Sequence, residues 1–398
     1  MHPAQFIQRY MDIFSGSSTF YLRDGLMLEF KSGTKAETFW LTYYIYQGLT
    51  GPLTYLHHPS EKPPPTAMFR YLSPSPANYS GLSYGAYPEL QIAQPNLSVS
   101  DEALLTGYLL EDISTRVLSI SSFNVQGSHK RTFAGKIAKF IKEAESKKIS
   151  KIVIDFQQNY GGAVDLAFIM FRQFFPDIEP FAGGRRRSHD FADALGTTIT
   201  IAWDALSYDD VAERSAKYDN IGNEWVITPR LNAEMGENFT SWAGYYGPVM
   251  HNGDQFSHTE QYDLYNDYFN KNAFPDVPLE YLHKGNSERP PWKTENVVIL
   301  TDGIYTSACV MFVEMMTQQA GVRTIVGGGT PSPGPMQAAS GSRCARICNS
   351  ASIDGMLTPA LGMNASAAVP AVRDPGIVLS MAGFTLRDQI RDGDPAPL

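Results

Sequence analysis

Ser307 stands where a serine can either start a helix or attack a carbonyl. It falls in VVILTDGIYTSACVMFVEMMTQQAG, residues 297–321. There a β-branched apolar run (Val297, Val298, Ile299, Leu300) stops at Thr301-Asp302-Gly303, and an apolar periodic segment begins at Ala308 and runs to about Gln319. The pattern predicts a strand, a tight turn and a helix, with Ser307 at the helix entrance. A serine in that place commonly caps the helix, its side-chain oxygen accepting a hydrogen bond from an orphan N–H of the first turn. The same place suits a nucleophile, because free N–H groups and the positive helix end favour a developing oxyanion. Position alone leaves both readings open. A second feature of this kind is Gly161-Gly162, which follows the apolar run KIVIDF (151–156) and precedes another helical pattern. Functional groups in α/β layers collect beyond the carboxyl ends of strands, so the glycine pair and Ser307 are expected to face one crevice.

Other chemistries find less support in the residue types. The three cysteines, Cys309, Cys344 and Cys348, are too few for a disulfide scaffold, and no histidine lies near them in a zinc spacing. No metal or cofactor is expected. Gly327-Gly328-Gly329 lacks the Gly-Lys-Ser/Thr that would follow in a nucleotide loop. The net charge of -9 argues against a nucleic-acid partner, and Arg185-Arg186-Arg187 reads as a solvated loop. An acyl-CoA enzyme would need a basic site for the CoA phosphates, and none is visible. No apolar run reaches the roughly 18 residues of a membrane span, since Asp302 and Glu314 break the best candidate. No charged-then-apolar leader opens the sequence, while sequons at Asn78, Asn96, Asn238 and Asn364 leave a secretory route open. Compartment and oligomeric state are not readable.

The elements that must position these residues follow an α/β grammar. With 398 residues, 43% hydrophobic and 18% charged, the chain can bury a sizeable core. Residues 1–50 hold a hairpin-like piece, Phe20 to Phe30 returning through Phe39 to Tyr46 across Ser32-Gly33-Thr34. Residues 51–105 are rich in proline, serine and tyrosine and read as an irregular connector. From 106 the sequence predicts strands at 107–110 and Val117–Phe123, an amphipathic helix over 132–147, a strand at 151–156, the glycine turn and a helix over 163–175. This is the pattern of a parallel layer. The stretch 180–290 is loop-rich and aromatic, with Trp203, Trp225, Trp242, Tyr245 and Tyr246 among its rings, and reads as an insertion. A strand at 322–326 and an apolar segment near Ile377–Met381 complete the reading.

Three of these segments together resemble the S41 serine peptidases, the tail-specific protease family. KIVIDFQQNYGG (151–162) is similar to the family's Asp-x-x-x-Asn-x-Gly-Gly element. TDGIYTSACVMFVEMM (301–316) is similar to its nucleophile segment in the form found in fungal relatives of the chlamydial protease-like activity factor. GGGTPSPGPMQAASGSR (327–343) resembles the loop those fungal proteins carry after the nucleophile. GYLLEDISTRVLSISSF (107–123) extends the match, and the hairpin at 20–40 resembles the end of the family's PDZ-like domain. The resemblance implies a ClpP/crotonase-like catalytic domain over 106–398, preceded by a partial PDZ-like β region. It also implies a serine endopeptidase acting on a peptide or protein, with Ser307 as nucleophile. The N–H groups of Gly162 (or Gly161) and Ala308 would then form the oxyanion hole. Fungal members occur in gene clusters for cyclic peptide toxins of the ustiloxin and phomopsin kind, which implies trimming of a precursor peptide.

The proton acceptor does not match the family. A Ser-Lys pair needs a lysine beyond the nucleophile helix, and none follows Lys293. A Ser-His-Glu triad needs a histidine in an Asp-Gly-His type of motif, and none of His2, His57, His58, His129, His189, His251, His258 and His283 lies in one. The only glutamate after Ser307 is Glu314, and TLRDQIRDGDPAPL resembles the lead-in to the family's terminal Tyr-Glu segment. Two expectations follow. Either the missing histidine and glutamate are encoded outside this sequence, or the chain is a protease-like protein with an incomplete triad that binds a peptide.

Overall fold

In the computed structural model the described residues run from Leu104 to Gly327, except 158, 160, 182, 206–224, 252, 267–275, 277, 284–288 and 304. Outlying described pieces are 25–29, 33, 35–39, 43–46, 49–52, 90–93, 347–349, 357, 360 and 383–385. The 330–343 loop, His2, His57, His58, Cys344, the sequons at Asn78, Asn96 and Asn364, and the 377–381 segment lie outside them.

Strands β1 (Gly25–Glu29) and β2 (Lys35–Phe39) pair antiparallel. Gly33 lies in the turn between them at φ +81°, a conformation glycine adopts without steric cost. β3 (Tyr43–Tyr46) and β4 (Leu49–Pro52) form a second antiparallel pair. β5 (Leu90–Ala93) pairs antiparallel with β6 (Leu105–Leu110), so the proline-rich stretch contributes a strand to the main sheet.

That sheet has six strands in the order β14-β13-β8-β7-β6-β5, where β7 is Thr115–Ile120, β8 Lys151–Asp155, β13 Val297–Thr301 and β14 Arg323–Val326. β6 and β7 are antiparallel, whereas β7, β8, β13 and β14 are mutually parallel. Parallel neighbours require crossovers, and helices supply them. α1 (His129–Ser146) joins β7 to β8, α2 (Val164–Phe174) leaves β8, and α6 (Ala308–Glu314) joins β13 to β14. Helical winding continues from α6 as a π-turn over Met315–Gln319. The alternation Leu118/Ile120, Ile152/Ile154 and Val297/Ile299 sends one face of the sheet into a core shared with Phe133, Ile137 and Phe140 of α1 and Leu166, Met170 and Phe174 of α2.

The insertion is more regular than its sequence suggests. It holds α3 (Asp190–Asp204), β9 (Arg230–Asn232), α4 (Trp242–Tyr246), β10 (Val249–His251), β11 (Asp254–Phe256), β12 (Glu260–Tyr262) and α5 (Leu279–Leu282). α3 runs through Gly196 and the β-branched run Thr197 to Ile201, residues of modest helix propensity. Packing overrides that weakness, because a Cβ at Gly196 would lie 2.1 Å from the Trp242 ring. Glycine thus permits the contact that buries the helix. The expected solvated arginine loop is corrected as well. Arg185 and Arg186 are buried, their guanidinium carbons 4.0 Å from the ring centroids of Phe256 and Trp225. Arginine can bury its stem and stack its planar head on an aromatic face; only Arg187 is exposed, and it pairs with Asp254.

Candidate active site

Because β7, β8 and β13 are parallel and adjacent, the loops after their carboxyl ends meet at one edge of the sheet. Four buried phenylalanines fix that edge from below. Phe123 follows β7, Phe156 follows β8, Phe312 belongs to α6 and Phe133 to α1. Their ring centroids are 5.8 Å apart for Phe123–Phe156, 5.3 Å for Phe156–Phe312 and 6.0 Å for Phe123–Phe133. All four are fully buried, and each such ring contributes roughly 1.5–3 kcal/mol of burial energy.

On this base the three loops are tied by hydrogen bonds. Phe123 N–H donates to Gly161 O at 2.8 Å, and Ala163 N–H donates to Phe123 O at 2.8 Å, extending the parallel ladder to a bridge between Phe123 and Gly162. Ser122 Oγ also donates to Gly161 O, at 3.2 Å. Asn159 donates through Nδ2 to Ile120 O at 2.9 Å and accepts at Oδ1 from Gly161 N–H at 2.8 Å. Its carbonyl accepts from Thr306 N–H at 3.1 Å. The residue before Ser307 is thereby fastened to the glycine turn.

The glycines are needed for this closeness. A Cβ built on Gly161 would lie 2.6 Å from Ser307 Cβ, 2.7 Å from Thr306 O and 2.9 Å from Ala308 N. On Gly162 it would lie 2.1 Å from Phe123 C, at a φ of +143°. Gly161, Gly162, Ser307 and Ala308, singled out in the sequence, are therefore brought together at one place. Their N–H groups are not equivalent. That of Gly161 is taken by Asn159. In a planar trans peptide the N–H points opposite to the preceding C=O. Since Gly161 O faces Phe123 and Ser122 on the β7 side, Gly162 N–H points toward the β13 side, where Ser307 lies.

Ser307 has φ 54° and ψ −127°, and its side chain makes no capping hydrogen bond to α6. Helix caps adopt extended backbone and earn their preference through that bond. Capping does not account for Ser307. The left-handed φ of a residue with a Cβ is strained, at a cost of about 1–3 kcal/mol, and the Thr306–Asn159 bond and the Gly161 contact hold it there. Behind it, Cys309 and Tyr305 are buried, and burial pushes both the thiol and the phenol up. Neither is therefore poised to ionise.

A cavity of about 500 Å³ adjoins the glycine turn, lined by Asn124, Gln126, Gly127, Lys130, Gly162 and Asp276 among others. Sequence reasoning missed this wall, whose residues fall in a loop and a helix start without a recognisable motif. Lys130 is buried and its Nζ lies 3.1 Å from Asp165 Oδ2. Burial raises the Asp165 carboxyl above its usual range, against the opposing pull of Lys130. The described histidines have defined surroundings too. His189 Nδ1 caps α3 by accepting from Ala192 N–H at 3.2 Å, and His283 Nε2 lies 2.6 Å from Leu264 O. His251 meets Phe256 edge-on. Among the described residues no cluster of His, Cys, Asp and Glu that could hold a metal is present, and no helix is long and apolar enough to cross a membrane.

The parallel layer and its helical crossovers define a mixed α/β protein, in which the glycine turn after β8 and the serine at the β13–α6 junction lie side by side. The sequence profile of peptidase family S41 matches residues 115–340, more than half of the chain and all of this site. The chain belongs to peptidase family S41. Among its relatives, the Peptidase S41 family protein ustP of Aspergillus flavus is 29% identical over 267 residues, covering 65% of this chain and 52% of the relative. The Peptidase S41 family protein phomP1 of Diaporthe leptostromiformis is 28% identical over 291 residues, covering 67% of this chain and 41% of the relative. This chain thus spans about half the length of the curated relatives it matches. Among solved structures, mature CPAF matches with a TM-score of 0.28 and 14% identity, over 75% of this chain and 51% of that one.

Proposed function

We propose that the chain carries the catalytic core of a serine-type peptidase that cleaves peptide bonds through an acyl-enzyme on Ser307. The observation that supports this most directly is the conformation of Ser307, a strained, non-capping serine in contact with a glycine whose neighbour directs an N–H toward it. In this reading Ser307 Oγ attacks the scissile carbonyl, its proton passes to a general base and on to the departing amine as the C–N bond breaks, and the N–H groups of Gly162 and Ala308 receive the oxyanion. Gly161 takes no direct part in the hole; it allows the close approach. Lys130 is disfavoured as proton acceptor because its Nζ is engaged by Asp165 at 3.1 Å. The ClpP/crotonase-like fold and the PDZ-like character of the N-terminal hairpins belong to the same proposal, supported by the strand-helix order and the family. Fungal relatives bearing names in the ustiloxin and phomopsin series support a precursor peptide as substrate.

The test is a fluorophosphonate probe on the purified chain, followed by peptide mapping. Labelling at Ser307 that Ser307→Ala abolishes is the expected result. A chain that binds peptide yet shows no Ser307-dependent labelling would instead fit the incomplete-triad reading, since a serine without its base loses most of its rate enhancement. For the substrate, disruption of Ser307 in the source organism is expected to leave an uncut precursor peptide; an unchanged peptide profile would remove that assignment.

A further inference from the structure

We propose that Asn159 is the positioning residue of this site, setting the turn that carries Ser307 and the peptide that carries Gly162 N–H relative to one another. The inference rests on the reading of Ser307 as nucleophile. Asn159 is fully buried, and every one of its polar groups is bonded. Its N–H donates to Phe156 O at 3.2 Å and its carbonyl accepts from Thr306 N–H at 3.1 Å. Its side chain takes Gly161 N–H at 2.8 Å and donates to Ile120 O at 2.9 Å. An asparagine that only shaped its own turn would need the bonds to Phe156 and Gly161. The other two reach the end of β7 and the residue before Ser307.

The consequence for the site is geometric. Two peptide planes flank Gly161. The one bearing Gly161 N–H is fixed by Asn159 Oδ1, and the one bearing Gly161 C=O and Gly162 N–H is fixed by Phe123 N–H and Ser122 Oγ. With both planes held, the φ of +89° at Gly161 is set, and so is the direction of Gly162 N–H. The Thr306 bond places Ser307 in the same frame. Removing the Asn159 side chain frees the first plane, and with it the φ of Gly161, so the peptide bearing Gly162 N–H can shift against Ser307, although the hydroxyl and both proposed oxyanion donors are still present in the chain.

The experiment measures the second-order rate of fluorophosphonate labelling at Ser307, together with kcat and KM on a peptide substrate, for the parent, Asn159→Asp and Asn159→Ala. Misplacement of a reacting group by about 1 Å costs about 100-fold, and a labelling loss of that order is expected for Asn159→Ala, carried by kcat with KM within about threefold. Asn159→Asp keeps the acceptor for Gly161 N–H; full burial favours its neutral acid, which stands against Ile120 O with at most a hydroxyl in place of the amide donor, so a smaller loss of about tenfold is expected, on the order of one hydrogen bond. Rates are taken per folded molecule, counted from the native tryptophan fluorescence of each variant, so that a general folding defect cannot mimic the loss. Where Asn159→Ala does not fold, the aspartate variant decides alone, and labelling at the parental rate overturns the proposal. So does labelling of Asn159→Ala within about threefold of the parent, or a loss shared equally between kcat and KM. If the parent itself does not label at Ser307, the nucleophile reading fails first and this one with it.

Discussion

Replacing Ser307 by glycine is expected to leave a more stable protein than replacing it by alanine. Elsewhere in a folded chain the order is normally the reverse, because glycine loses more backbone freedom on folding, at about 0.5–1 kcal/mol relative to alanine. At Ser307 the backbone sits at φ 54° and ψ −127°. A side chain bearing a Cβ is strained there by about 1–3 kcal/mol; alanine keeps that strain and glycine abolishes it. A second opposing contribution is the half-buried Cβ packed against Gly161, worth under about 0.8 kcal/mol. Taking the middle of each range leaves Ser307→Gly about 1 kcal/mol more stable than Ser307→Ala. Both variants lack the hydroxyl, so any bond it makes cancels in the comparison. Urea denaturation followed by tryptophan fluorescence measures the difference, provided the slopes of the two transitions agree. A glycine variant less stable than the alanine variant by about 0.5 kcal/mol or more, the ordinary result, would refute the claim that Ser307 is held in strain.

Two further outcomes follow from the same geometry. Gly161→Ala is expected to abolish Ser307 labelling and to lower stability by about 2–4 kcal/mol, since the added Cβ meets Ser307, Thr306 and Ala308 within 3 Å at a positive φ; a variant with parental denaturation midpoint and labelling rate would show that the two turns are not in contact. The pH response is expected to show at His189. Burial, and then Arg186 and Arg187, lower its pKa from the usual 6.5, with Asp190 opposing. A histidine whose folded pKa is lowered contributes stability that is complete above the unfolded value and is lost as pH falls through the folded one. Protonating Nδ1 also removes the acceptor that caps α3, a bond worth about 1 kcal/mol. His189→Asn keeps a capping acceptor without titrating, so its denaturation midpoint should fall less than the parent's between about pH 7 and pH 5; parallel curves would count against the cap.

What the sequence made legible was decided by how local the cause is. The strands 151–155 and 297–301 and the helices around them were readable because an apolar period, a glycine turn and a polar stop lie within one stretch. α3 was not readable, because the residue that stabilises it across Gly196 is Trp242, over forty positions away. The arginine pair stacked on Phe256 and Trp225 escaped for the same reason, since three successive arginines look like solvated charge until the rings that cover two of them are placed. The asparagine in the Asn-x-Gly-Gly turn is visible as a motif residue. Its bonds to Ile120 and Thr306 are not, because they depend on strand order rather than spacing.

Ser307 shows the limit most clearly. Residue type and position admit both a cap and a nucleophile, with the cap the commoner use of a serine there, and no count of neighbouring residues separates them. What bears on the proposed choice is a backbone angle, which goes with Thr306 donating to Asn159 and with a glycine close enough that its missing Cβ makes room for Ser307. Local preference and global structure agree through most of this layer; among the described residues Ser114, Lys148, Asp276 and Ser307 hold a positive φ without being glycine, and Ser307, with a ψ of −127°, lies outside the ordinary left-handed helical region. Such conflicts concentrate at functional sites because only the surrounding contacts maintain them. The strain is therefore evidence about role as well as about energy: a serine kept only for capping would have relaxed into the extended backbone that capping uses.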